Sequence, residues 1–257
     1  MLQERGHETV VLDPDPETAA SRCAFAYLRT AWFSGPARRR VREALGWYEE
    51  HGWLLERQAT VHDLKRGRVV EQPDHYLIDP VGPLVAPDRA ERVEGYREGT
   101  YGVRVLTPTN VIDANHLVLA CGQGMDRFTS GTPTYGAVFD ALGRQAADGL
   151  SILRITDRLS HAVAAGEHRT RTAASKGRTP ESAAERAEAI LDQMIRHGIV
   201  SGDADWKLRT GVRWENFNGT PGHSYLGYRA WAFTGFARTG YALVPGAARE
   251  LIQELER

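Results

Sequence analysis

Lysine is scarce in this chain: Lys65, Lys176 and Lys207 are the only lysines among 32 basic residues, a bias we attribute mostly to a GC-rich genome. Net charge is almost absent too. At −1 it gives no electrostatic reason to expect DNA, RNA or an anionic membrane as the main partner. The two cysteines, Cys23 and Cys121, lie far apart, which excludes a disulfide framework and a CxxC metal knuckle. Nine scattered histidines form no HxxxH or HExxH, so the sequence does not point to a metal site. No apolar run reaches the roughly 20 residues of a membrane span, and the start lacks a signal-peptide core. The cytoplasm is the default compartment. Familiar catalytic signatures are missing as well. Gly122-Gln-Gly124 is not a GxGxxG because Arg127 stands where the third glycine belongs, and neither Phe128-Thr-Ser-Gly nor Trp32-Phe-Ser-Gly has nucleophile-elbow spacing.

What is present begins with a fragment of a pattern. Met1-Leu-Gln-Glu-Arg-Gly-His-Glu reads as the end of a helix stopped by Gly6, and the apolar run Thr9-Val10-Val11-Leu12 leads to Asp13. Helix, tight turn and acid-terminated strand are how a dinucleotide-binding βαβ unit finishes, with the acid on ribose hydroxyls. The strand and glycine-rich turn that should come first are absent.

The rest alternates strands and helices, so the class is α/β or mixed α+β. Pro36 and the spacing of Val41, Leu45 and Tyr48 predict a helix over 36–50 that closes near Gly52. Strands are expected at Trp53–Leu64 and His75–Ile78, then in a meander over 85–121 that ends in His116-Leu-Val-Leu-Ala-Cys121. That run is apolar on both faces, as in a covered parallel sheet. Ile152–Thr156 reads as another strand. Thr179 as N-cap and Pro180 at the first position open the clearest helix, which Gly198 ends after about His197. A final helix spans roughly 246–255. Trp47, Tyr48 and Trp53 read as core, as does Cys121, a small hydrophobe in its strand. Trp32, Tyr76, Arg154 and His161 could line a pocket, though each alone is more readily structural.

The C-terminal third carries the most specific pattern: Gly211-Val-Arg-Trp214, Asn218-Gly-Thr-Pro221, Tyr225-Leu-Gly227, then Trp231-Ala-Phe-Thr-Gly-Phe-Ala-Arg-Thr-Gly-Tyr241 before the last helix. It resembles the closing segment of the FAD-dependent D-amino-acid oxidase and glycine oxidase superfamily. Other pieces fall in that family's order. Leu2 to Asp13 resembles its first helix and second strand, and Ala20-Ser21-Arg22 the start of the pyrophosphate-facing helix. Arg92-Val93 resembles its adenine-side strand, and Ile112 to Gly122 its Ala-x-Gly strand. Together these cover about two thirds of the chain. One departure is Trp214, where the family has proline.

The resemblance implies a doubly wound, Rossmann-like FAD domain (1–35, 82–130 and 210–257) interleaved with a sheet-based substrate domain (36–81 and 131–209). It implies cofactor contacts at Asp13, Ser21, Arg22, Val93, Ala120, Cys121, Gly122, Gly235, Phe236, Ala237, Arg238, Thr239, Gly240 and Tyr241. Arg213 is expected to clamp a substrate carboxylate with its bidentate fork, the alternative being a salt-bridged structural arginine. For the glycines of 235–240 the alternative is turn geometry alone. The implied reaction is oxidation of an amine or amino acid, with hydride transfer to flavin N5. A non-catalytic scaffold and an NAD-linked dehydrogenase are the competing readings. Two further expectations follow: that Met1 is internal to a protein longer by roughly 20 to 40 residues, and that the present chain, without the glycine loop, holds FAD weakly or not at all.

Overall fold

The computed structural model describes residues 1–15, 24–80, 82–83, 86–146, 149–154, 160–165, 169–216, 221–236 and 239–257. Its largest element is an eight-stranded mixed sheet. The strand order is β1 (Tyr27–Leu28), β3 (Arg68–Ile78), β2 (Leu54–Asp63), β9 (Gly149–Arg154), β10 (Ser160–Ala165), β11 (Arg169–Gly177), β8 (Gly131–Leu142) and β12 (Lys207–Asn216). Neighbours are antiparallel except β2 and β9, which run parallel with Thr60 opposite Ser151. A three-stranded sheet orders β13 (Gly222–Tyr225), β14 (Ala230–Thr234) and β7 (Leu117–Leu119), the last two parallel. A meander of β4 (Gly95–Glu98), β5 (Val103–Leu106) and β6 (Val111–Ala114) completes the strands described.

Period-2 alternation divides the large sheet into two different faces. Ala137, Phe139, Leu153 and Ala173 point to one side, where helix α2 (Pro180–Arg196) covers them with Ala183, Ala187, Leu191 and Met194. Val138, Leu150, Ile152, Val61, Leu77 and Phe25 pack on the other. The N-terminus of α2 follows its sequence signals. Thr179 accepts from the Ser182 amide, the Ser182 hydroxyl serves the Thr179 amide in return, and Pro180 sits at the first position.

Helix α1 (Gly35–Glu50) packs against α3 (Gly240–Leu255) through Val41, Ala44, Leu45, Tyr48, Ala242 and Leu243. Trp47 and Trp53 flank this core with rings 5.1 Å apart, as expected of core aromatics. Gly246 lets the helices approach, since a Cβ there would lie 3.3 Å from the Arg40 side chain. The last helix therefore starts six residues before the expected position and runs through Pro245. Burial against α1 outweighs the proline's missing donor. A fourth cluster gathers Val103, Val105, Leu117, Leu119, Met125, Trp214, Ala230 and Ala232.

The N-terminal reading needs correction. Gln3–Arg5 forms a 3-10 turn closed by Gly6 in the left-handed region, but Thr9–Leu12 is not a strand. Only Leu12 pairs, in a single parallel bridge with Arg89, and Val10 is half-exposed. An apolar run becomes a strand only when partners stand beside it. No helix of the described residues is long and apolar enough to cross a membrane.

Candidate functional site

The start of α3 is built to stay open. Gly235 holds φ +84°, and a Cβ on it would come 2.4 Å from the Asn216 side chain, so glycine is required both for the turn and for contact with the end of β12. Phe236 packs on Phe233, ring centroids 4.9 Å apart, and into the α1–α3 core. Thr239 occupies the N-cap position, yet its hydroxyl donates back to the Phe236 carbonyl at 2.7 Å and no side chain caps the helix. The Thr239 side chain therefore leaves the positive end of the helix dipole, which begins at Gly240, without a cap of its own. Tyr241 is anchored differently. Its hydroxyl donates to the Pro80 carbonyl at 2.8 Å, and burial pushes its phenol well up. Ala237 and Arg238, like Ser21 and Arg22, lie outside the described residues.

Asp13 and Cys121, distant in sequence, come together. The Asp13 amide donates to the Arg89 carbonyl at 3.2 Å, and its carboxylate accepts from the Asp15 amide at 3.0 Å. Surrounding protein atoms desolvate part of the Cys121 thiol, and the nearby Asp13 carboxylate adds to the effect, so the thiol pKa is pushed up. Cys121 nonetheless has an open face and is exposed, which corrects its expected place in the core. The strand stops at Leu119, two residues earlier. Ala120 is likewise exposed, and Gly122 turns at φ +55° into a 3-10 segment. Val93 packs beside the cluster of Leu117 and Leu119, just before β4.

Arg213 stands on β12 opposite Thr134 of β8, on the face that holds Val138 opposite Arg209. Its guanidinium lies over Gly136, where a Cβ would meet Nη2 at 2.8 Å. Trp214 points the other way, into the cluster of Met125 and Leu119. Trp214, Asp126 and the Phe128–Gly131 segment line an open depression of about 590 Å³. Trp214 therefore shapes the wall behind the strand, on the face away from Arg213.

Two polar groupings on the same sheet face escaped the sequence reading. Asp140, 3% exposed, accepts from Arg171 Nε at 2.7 Å and lies 2.5 Å from Arg209 Nε and 3.8 Å from Arg169. Arg171 also donates to the Ala24 carbonyl. Near the other edge, buried His75 meets the Tyr27 hydroxyl through Nδ1 at 2.8 Å. Burial, helped by Arg29, pushes the His75 pKa down to about 4, and burial raises Tyr27 to about 12. Arg154 braces this corner, 3.6 Å from the Asp63 carboxylate and 3.4 Å from Gln72 Oε1, while exposed Trp32 sets its edge on Tyr27. Tyr76 faces the α1 core instead. The described residues say nothing of the His161 side chain. The pairing of β8 with β11 on one side and β12 on the other brings the Asp140 group together, and neither β8 nor β11 was legible in the sequence.

No family model matches the chain, and no curated protein sequence is similar to it. Solved structures are similar. Glycine oxidase from Bacillus cereus superposes with a TM-score of 0.74 at 16% identity over 99% of this chain and 90% of its own. Iminodiacetate oxidase from Chelativorans sp. BNC1 gives 0.71 at 14% identity over 96% and 89%. An FAD dependent oxidoreductase from Pseudomonas aeruginosa gives 0.67 at 16% over 99% and 85%. The chain has the mixed α/β fold of these oxidases.

Proposed function

We propose that this chain is an FAD-dependent oxidoreductase acting on an amine or amino acid, the small molecule being its partner. One observation carries the reading: a chain with the fold of glycine and iminodiacetate oxidases also sets Arg213 on a sheet face of buried polar groups, on the strand whose end at Asn216 touches the Gly235 turn before α3. The donor set suits FAD. Asp13 offers a carboxylate acceptor to ribose hydroxyls, and the uncapped amides of α3 suit an anionic ring edge. Val93, Ala120, Cys121, Gly122 and the 235–241 loop are its remaining contacts in this reading, with Ser21 and Arg22. We assign 1–35, 82–130 and 210–257 to the cofactor and 36–81 and 131–209 to the substrate.

When bound, FAD supplies the two-electron acceptor, taking hydride at N5 from the substrate carbon. The protein's part is orientation. Arg213 holds the carboxylate with two parallel N–H bonds and so fixes the adjacent carbon. His75, neutral above its depressed pKa, adds no charge to the face, and Leu150, Ile152 and Val61 keep water from it.

The test is direct. FAD is titrated into the purified chain, and the loaded protein is mixed anaerobically with glycine, N-methylglycine, both alanine enantiomers and simple alkylamines. Quenching of flavin fluorescence followed by bleaching of its visible band with one of these supports the reading. Bound flavin that none of them bleaches sinks the amine-oxidation assignment, and no quenching at saturating FAD favours the non-catalytic scaffold.

A further inference from the structure

Beside Arg213 the sheet leaves a polar group without a partner. Thr134 lies directly across the ladder from Arg213, so the two side chains share a face and their Cβ atoms are close neighbours. Thr134 is 9% exposed, and its hydroxyl is buried with no hydrogen-bond partner among the described residues. A buried hydroxyl without a partner is a standing cost, and valine fits a strand at least as well.

The next position on that face shows the complementary feature. Gly136 sits in the interior of the sheet, between Lys176 of β11 and Gly211 of β12. Its φ is not in the left-handed region, so the backbone does not call for glycine there. Glycine inside a strand weakens it and often marks a close approach. The approach here is the guanidinium of Arg213, whose Nη2 and Cζ would lie 2.8 Å and 3.0 Å from an added Cβ. Gly136, paired with Gly211 across the ladder, offers no side chain where the head of Arg213 rests.

We propose that Thr134, Gly136 and Arg213 form one carboxylate subsite. Arg213 supplies the bidentate fork, the Thr134 hydroxyl donates a third hydrogen bond, and Gly136 is a positioning residue that makes room for the guanidinium. This deepens the reading of Arg213 as carboxylate anchor and rests on it. It also narrows the substrate class to amines that carry a carboxylate.

The experiment uses the purified 257-residue chain, with acetate as probe and acetamide as its uncharged twin. Binding is followed by NMR titration, and the thermal midpoint of each variant is recorded. Thr134→Val should leave the midpoint unchanged or raised, because the hydroxyl bonds nothing in the free protein, while acetate binding weakens about tenfold or more, the scale of a hydrogen bond to a charged group. Acetamide binding should hardly move. Gly136→Ala should weaken acetate similarly and lower the midpoint in the parent, yet not lower it in an Arg213→Ala background, where the added methyl meets no guanidinium. A lowered midpoint with unchanged acetate binding in Thr134→Val would make Thr134 structural and overturn the subsite. Equal midpoint shifts of Gly136→Ala in both backgrounds would overturn the seat. If Arg213→Ala leaves acetate binding intact while the midpoints still couple, the anchor reading itself has failed and the seat alone stands.

Discussion

Helices α2 and α3 are nearly equal in length, 17 and 16 residues, yet their N-termini are finished in opposite ways. Thr179 and Ser182 close α2 with a reciprocal pair of bonds, whereas Thr239 turns its hydroxyl back to Phe236 and leaves α3 uncapped. The faces of the large sheet differ in the same sense. The α2 side is an apolar core of Met194, Leu191 and Phe139, while the opposite side holds Arg213, Asp140, His75 and the unpartnered Thr134 hydroxyl. One side has spent its hydrogen bonds on its own structure. The other keeps the Thr134 hydroxyl without a partner among the described residues, and it is there that we propose a ligand binds.

The largest test of this contrast removes Met194, fully buried on the inner face of α2. Met194→Ala should destabilise the fold by about 2–5 kcal/mol, read by denaturant melts. Ligand affinity of the remaining native fraction should be unchanged, and a loss of affinity there would blur the two sides.

Arg213 tests the other side. Arg213→Lys keeps the charge without the fork, and Arg213→Ala removes both. Amino-acid binding and flavin reduction should weaken by about 2–4 kcal/mol, with less loss for amines lacking a carboxylate and flavin content near normal. Equal losses for both substrate types would return Arg213 to a structural role.

His75 gives the contrast a pH signature. Above its ordinary value of 6.5, folded and unfolded chains are both neutral there and stability is full. Between 6.5 and about 4 only the unfolded chain takes up the proton, so stability should fall as pH falls; below about 4 the slope ends. The loss is on the order of 2 kcal/mol. His75→Gln should flatten that segment of a pH series of melts, and an unchanged slope would assign the dependence to other groups.

The smallest effect compares the two threonines. Thr179→Ala should cost about 1 kcal/mol through the lost cap. Thr239→Ala should stay within about 0.5 kcal/mol, since no cap is lost. A Thr239 loss as large as that of Thr179 would mean that α3 depends on its N-cap residue after all.

These contrasts track what was legible in the sequence. α2 was readable to within a residue because every signal for it is local: cap, proline, apolar stripe and terminal glycine. The class and the approximate positions of α1, β2, β5 and β6 were likewise in the spacing, whereas β12 was marked only by its resemblance to a family strand. β8 and β11 were not. Gly131–Leu142 mixes glycine and proline with apolar residues on both faces, and its identity as a strand comes from two neighbours far along the chain. The Asp140 cluster and the Thr134–Gly136 patch vanished with it, because a site made by cross-strand register has no signature along one strand. The early start of α3 was hidden by Pro245, which only packing against α1 overrides.

The clasp between the two ends has a consequence for biosynthesis. Arg5 and His7 meet Glu256 at 2.8 Å and 3.2 Å, Arg40 pairs with Glu250, and α1 has its main helical partner in α3. Helix α1 thus waits for α3, which is translated long after it, and until then its apolar stripe is uncovered, a hazard of any vectorially synthesised chain with distant contacts. The same clasp brings the ends near enough for a short peptide to join them. A circular permutant opened at the exposed Leu64–Gly67 turn would have its α1 and α3 segments made back to back, and it should gather fewer aggregates during expression.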